Sequence, residues 1–272
     1  FLKIMVQGSF TMANKFAVIS FSGGLDSSSL LLNLLSNKYK IFALSFDYGQ
    51  RHKHELLKAK KNIDYLGSKG FHVEHKIVDI SFCSELLQSS LTKNNIDIPK
   101  GYYEENSMKS TVVPNRNAIF SSIIFGYALS ISNKLNNKVI IGLGVHAGDH
   151  EIYPDCREDF YHSIMNAFKI GNWGSENISI YLPYIKLNKS DIIGDALTSC
   201  KTLKLNFDTF FKNTLTSYNP DKNGISDGKT GSDIERILAF DSIGLKDPID
   251  YSDTWDNVLK HAKFLEKKFK NK

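Results

Sequence analysis

The sequence predicts an α/β fold, a parallel sheet with helices on both faces, and three observations carry it. Short apolar runs rich in β-formers alternate with longer helical stretches. The first run ends in Gly23-Gly24 and a helical stretch opens directly after it. Polar clusters recur where the apolar runs end. Strands covered on both faces read as continuous apolar segments, because neither face meets water.

The elements follow in order. Residues 16–21 read as a buried strand, and a leucine-rich helix is expected over 27–35. Residues 41–46 form a second buried strand, ended by Asp47-Tyr48-Gly49. A polar helix over 52–67 carries Leu56, Leu57, Ile63 and Leu66 at helical spacing, and 73–78 is a third strand. From 84 to 111 the pattern weakens, and Pro99 and Gly101 mark an irregular insertion or a lid. A long apolar helix is expected over 117–135, a fourth strand over 138–143, a helix over 160–170, a strand over 178–182 and a helix over 189–197. Beyond about residue 207 a helical or loop-rich lobe closes in a helix over 253–270. The organisation read from this is a leader or tag over 1–14, with the native start expected at Met12, a main α/β domain over 15–206 and a C-terminal lobe over 207–272.

Composition excludes several classes. The chain has 42% hydrophobic and 23% charged residues, and no apolar run approaches the roughly 18–20 residues needed to cross a bilayer. The net charge of +5 is spread along the chain, and the basic stretch over 260–272 reads as a solvated helix face, so direct nucleic-acid binding is not expected. Cys83, Cys156 and Cys200 lie far apart with no C-x-x-C, which fits a reducing, cytoplasmic setting.

The main chemical signal is Ser22-Gly23-Gly24-Leu25-Asp26-Ser27-Ser28 between strand and helix. Glycines let the backbone turn sharply, the free N–H groups of the next helix converge on one point, and the serines add donors. Together with Ser20 and Phe21 at the strand end, this is a pyrophosphate cradle. The structural alternative is a tight turn capped by Asp26 or Ser27. The loop resembles the PP-loop of N-type ATP pyrophosphatases, which cleave ATP to AMP and pyrophosphate. Four further segments follow. Asp47-Tyr48-Gly49-Gln50 leads into a basic run with His54 and Glu55; Val113-Pro114-Asn115-Arg116-Asn117 offers a bidentate arginine. His146, Asp149 and the run Tyr153-Pro154-Asp155-Cys156-Arg157 follow the fourth strand, and Lys189 opens a helix. Cys156 reads as structural or, less simply, as a nucleophile.

In this order the five segments resemble the 7-cyano-7-deazaguanine synthase family, over roughly 16–251. The resemblance implies an adenine nucleotide α-hydrolase-like fold and the use of ATP and ammonia to convert 7-carboxy-7-deazaguanine to the nitrile. It implies catalytic roles for Asp26, Lys189 and Arg116, ATP contacts across 20–28, and Mg²⁺ on Asp26. Asp47, Tyr48, Gln50, His54, Arg116, His146, Asp149, Asp155 and Arg157 are the expected substrate and ammonia contacts. A homodimer is a further family expectation.

One departure stands out. The family carries four zinc-binding cysteines near its C-terminus, and here the aligned positions are Ser217, Asp227, Thr230 and Asp233. Hydroxyls and carboxylates suit zinc poorly, so no zinc is expected. Gly228-Lys229-Thr230-Gly231 lacks the upstream glycine of a Walker A loop, and an anion held by Lys229 is the remaining binding reading. Without the knuckle the chain is either an ordinary nitrile synthase with a hydrogen-bonded lobe or a relative that passes the activated acid to another amine, such as a protein in phage defence. A non-catalytic binder fits the intact loop least.

Overall fold

The computed structural model describes residues 14–51, 53–93, 95–102, 106–149 and 153–271, so the expected leader over 1–14 lies, but for Asn14, outside the described residues. Five strands form one parallel sheet: β1 (Lys15–Ser20), β2 (Tyr39–Asp47), β3 (Val73–Asp79), β4 (Val139–Gly142) and β5 (Ile178–Tyr181), in the order β3-β2-β1-β4-β5. The chain winds outward from β1 to β3, then returns to the other side of β1 for β4 and β5. The reversal leaves a crevice at the carboxyl ends of β1 and β4, where open α/β sheets bind ligands.

Alternation along β1 supplies both cores. Ala17 and Ile19 face one cluster with the leucines of α1 (Leu25–Ser36) and with Ile192, Ile193 and Ala196 of α6 (Lys189–Leu203). Phe16 and Val18 face the other, with Ile124, Phe125 and Ala128 of α4 (Arg116–Leu135) and Tyr161 and Met165 of α5 (Glu158–Ile170). Between β2 and β3 runs α2 (His54–Ser68). The irregular stretch after β3 contains a short helix α3 (Cys83–Leu86) and a 3-10 turn, Asn106–Thr111. Arg51 ties that stretch down, its Nη1 donating to the carbonyls of Ser90 (3.3 Å) and Ile96 (3.1 Å).

The segment Met108–Leu135 reaches a mean hydropathy of 1.2, long and apolar enough by composition to cross a membrane, although no plain apolar run had suggested it. Interspersed serines break the run and lower its average, but the isoleucines and phenylalanines keep it at that value. Its buried stripe of Ile124, Phe125, Ala128 and Ile131 packs into the core against the sheet.

The C-terminal segment holds two helices that periodicity did not separate, α7 (Phe207–Phe211) and α8 (Gly231–Ser242), before α9 (Trp255–Lys270). Phe210, Phe211 and Phe240 are fully buried in the same core as α1. The lobe thus shares the hydrophobic interior of the α/β unit. The Leu215 N–H also donates to the Gly23 carbonyl (3.1 Å), joining it to the glycine loop.

Candidate active site

The loop after β1 needs its glycine. Gly23 has φ +85°, and a Cβ there would fall 2.5 Å from the Glu55 carbonyl and 2.9 Å from the Ala59 nitrogen. The turn is held from within: Gly24 N–H donates to Ser22 Oγ (3.2 Å), Ser22 N–H donates to Ser27 Oγ (3.2 Å), and the two hydroxyls lie 3.0 Å apart. Gly24 occupies the cap position of α1 with no side chain capping it. The capped-turn alternative is therefore not what forms. The N–H groups of Leu25, Asp26 and Ser27, in the first turn, have no intrahelical partners and face the crevice with the positive end of the helix dipole. The Phe21 ring packs against His75 and Ser28 is buried in α1, and neither is among the residues that line the two main cavities.

Behind the loop sits a charged cluster drawn from four elements. Lys189, the first residue of α6, is 5% exposed; its Nζ lies 2.6 Å from Glu235 Oε2 and 3.5 Å from Asp26 Oδ2. The buried ring of His146 places Nε2 3.8 Å from Asp26 Oδ2 and 3.7 Å from Glu235 Oε1, while its Nδ1 accepts the Gly148 N–H (3.0 Å). Asp26 Oδ1 is buried with no hydrogen-bond partner among the described residues. A hard carboxylate oxygen in that state, beside a phosphate cradle, fits Mg²⁺.

Two adjoining cavities open from this point. One, of about 220 Å³, is lined by the loop, by Lys189, by Ile124, Leu143 and Val145, and by Leu215 and Thr216 of the C-terminal segment. The other, of about 270 Å³, is lined by Tyr48, Gln50, Arg51, Arg116, Tyr153, Cys156 and Tyr218. Ser20, Ser22, Asp26, Glu55, Asn117, Phe120, Val145 and Tyr218 border both. In the second cavity the Arg116 guanidinium lies 5.7 Å from the Tyr48 ring centre and 6.0 Å from that of Phe120. Asn117 holds its neighbourhood, donating to the Asp155 carbonyl and to Cys156 Sγ (both 3.4 Å). No carboxylate among the described residues pairs with Arg116 within 4.0 Å.

The sequence candidates separate on this geometry. Asp26, Lys189, Tyr48, Gln50 and Arg116 line the cavities. His146 sits one layer behind, against Asp26. Asp47 does not reach either cavity: it accepts the Gly49 N–H (3.2 Å) and pairs with Lys53 at 2.5 Å, closing its own loop. His54 packs against Gly224, and Arg157 is exposed at the start of α5. Asp155 meets the site through its backbone, and the side chain of Asp149 lies outside the described residues. Two carboxylates went unforeseen. Glu235 is remote in sequence, and only its 2.6 Å contact with Lys189 reveals it. Glu55 closes the Asp47 motif in the sequence, which gives it no role of its own. It lines both cavities with no hydrogen bond or ion pair among the described residues, and burial pushes its carboxyl up to about 7 against the pull of Arg116.

The positions aligned with zinc cysteines form a hydrogen-bonded knot. Asp233, fully buried, accepts from Ser217 Oγ (2.9 Å), Ser226 Oγ (2.7 Å), Thr230 Oγ1 (2.5 Å) and Thr230 N–H (3.2 Å). The fourth corner is Ser226, whereas Asp227 turns outward to Lys100 (3.2 Å) and to the Lys229 N–H (3.0 Å). Three hydroxyls around one carboxylate make a poor donor set for zinc. Next to the knot, Arg236 and Asp247 form a buried bidentate pair (2.6 and 2.9 Å), and Arg236 Nη1 also donates to Thr214 and Thr216.

A parallel sheet with a switch point at β1 and β4, and a serine–glycine loop opening a helix there, defines a PP-loop α/β protein. The chain belongs to the QueC family: the profile described as queuosine biosynthesis protein QueC matches residues 16–244. Relatives named 7-cyano-7-deazaguanine synthase include one from Psychromonas ingrahamii, 41% identical over 89% of this chain and 100% of the relative. One from Alteromonas mediterranea is 43% identical over 86% and 97%, and one from Caldicellulosiruptor bescii 40% identical over 86% and 96%. The chain is accordingly an enzyme of the carbon–nitrogen ligase type. Among solved structures, an NMN synthetase from Francisella tularensis overlaps at a TM-score of 0.39 and 14% identity over 94% of this chain and 85% of that one, too distant to bear on the site.

Proposed function

We propose that the chain makes 7-cyano-7-deazaguanine from 7-carboxy-7-deazaguanine, with ATP activating the acid and ammonia supplying the nitrogen. The observation that carries this is the pairing of a phosphate cradle with a second cavity that presents, among aromatic rings, an arginine with no carboxylate partner among the described residues. A carboxylate is a poor electrophile because its charge repels nucleophiles; transfer of AMP gives it a good leaving group. The N–H groups of Leu25, Asp26 and Ser27, with Lys189, receive the pyrophosphate and the charge that develops on it. Asp26 would hold Mg²⁺, which neutralises phosphate charge during the transfer. Tyr48, Phe120 and Tyr218 offer flat apolar surfaces for a planar bicycle, and Arg116 offers a counter-charge for its carboxylate. Ammonia converts the adenylate to the amide, and a second activation dehydrates the amide to the nitrile.

The test is to incubate the enzyme with the acid, ATP, Mg²⁺ and ammonium and to follow products by mass. The nitrile is the expected product. Amide or AMP without nitrile, together with a mass shift on a co-expressed protein, would replace this reading by transfer of the activated acid to a protein amine.

A further inference from the structure

Ammonium has no lone pair, so it cannot attack an acyl-adenylate until a base removes a proton. The bond to be broken in that attack joins the acid to the nucleotide, so the base belongs where the two cavities meet. Eight residues border both, and of these only Asp26 and Glu55 are carboxylates; the one other ionisable group, the Tyr218 phenol, lies 3.2 Å from the Tyr153 hydroxyl. Asp26 is committed: its Oδ2 faces Lys189 and His146, and its Oδ1 is placed for a cation at the phosphates. Among the described residues no histidine lines either cavity. Glu55 is different. It stands in the first turn of α2, backed by the close approach of its own carbonyl to Gly23, and its carboxylate has no partner among the described residues. An uncompensated carboxylate in a semi-enclosed cavity attracts a small cation, and the tuned acidity noted above suits it to accept a proton near neutrality.

We propose that Glu55 binds ammonium and acts as the general base for amide formation, an inference that rests on the nitrile-synthase reading. The step balances as follows. Ammonium gives one proton to the Glu55 carboxylate, and the freed nitrogen lone pair attacks the acyl carbon. The carbon–oxygen bond to AMP breaks, and its electron pair leaves on the AMP phosphate. The new C–N nitrogen sheds its extra proton to water in the open cavity. Glu55 then returns its proton to solvent before the next ammonium arrives.

Glu55→Gln keeps the size and polarity of the side chain but cannot take the proton. Two readouts separate its effects: acid-dependent exchange of pyrophosphate into ATP, and formation of amide from ammonium chloride. Amide formation in Glu55→Gln is expected to fall about 100-fold, with a raised KM for ammonium, while exchange stays within a small factor of wild type. Hydroxylamine is neutral at pH 7 and already carries a lone pair, so it should form the hydroxamate at near wild-type rate in the variant. A merely structural role for Glu55 would depress exchange and hydroxamate formation together. A raised KM for the acid or for ATP, with ammonium unaffected, would overturn the proposal. If wild-type enzyme shows no acid-dependent exchange at all, the nitrile-synthase reading itself fails, which is a different result.

Discussion

Lys189 Nζ lies 2.6 Å from Glu235 Oε2, so the lysine facing the phosphate cradle is held by a residue of the C-terminal segment. Helix α8 thereby reaches back into the site and fixes the one lysine that lines the first cavity. Replacing Lys189 by Ala should cut pyrophosphate exchange by about 100- to 1,000-fold, the usual cost of losing one donor to developing charge. Glu235→Gln should cut it less, because the amide oxygen still accepts from Nζ. Exchange rates of the two variants check the order; an equal or reversed ranking contradicts it.

Gly23→Ala tests the loop geometry. The added methyl would meet the Glu55 carbonyl at 2.5 Å in a backbone conformation that L-residues avoid. The expected outcome is a loss of about 2 kcal/mol or more in stability and a raised KM for ATP, measured by thermal melting and exchange kinetics.

The knot around Asp233 ties Ser217, Ser226 and Thr230 together by hydrogen bonds to one buried carboxylate. Asp233→Ala strands three hydroxyls and a backbone N–H, and should destabilise the protein by about 3 kcal/mol. Asp227→Ala breaks a solvent-facing pair with Lys100 and one turn hydrogen bond from the Lys229 N–H, and should cost about 1 kcal/mol or less. The two differ although both align with zinc cysteines. A chelator should leave the melting temperature unchanged, and metal analysis finding one zinc per chain would contradict the expected absence.

Glu55 makes a prediction about pH. Its folded-state value, about 7, is raised above the usual 4.5 by burial. A carboxyl raised in this way contributes stability that is present at low pH and is lost as pH rises through 7, because the folded state must then carry a buried charge. Glu55→Gln removes that cost. The variant should be more stable than wild type at pH 8 by on the order of 1–2 kcal/mol once solvent screening is allowed for, with no gain near pH 4. Melting at the two pH values measures this. In the same range, wild-type amide formation should fall as pH drops below 7, and the inflexion should be missing in the variant.

Much of the architecture was legible because the central strands β1, β2 and β4 are largely apolar runs, while the edge strand β3 alternates apolar with polar residues, and all five were placed to within a few residues. The glycine loop was legible for a similar reason, since strand, Gly-Gly and helix are contiguous. The helices α7 and α8 were not, because their apolar residues pack into a core built by distant elements and carry no clean local period. Within the site, motifs local in sequence surfaced and contacts made across the fold did not. Asp47 drew attention through its motif yet serves its own loop. Glu235 had no local signal, and it holds Lys189 from 46 positions away. Of the four positions aligned with cysteines, Asp227 stays outside the knot around Asp233, which its neighbour Ser226 joins instead.

The central claim is that the loop after β1 activates a deazaguanine acid as its adenylate. The most direct measurement is exchange of radiolabelled pyrophosphate into ATP, with and without 7-carboxy-7-deazaguanine, in wild type and in Asp26→Ala. The account predicts exchange that requires the acid and disappears in Asp26→Ala. Exchange that proceeds equally without the acid, or survives in full in the variant, would contradict it.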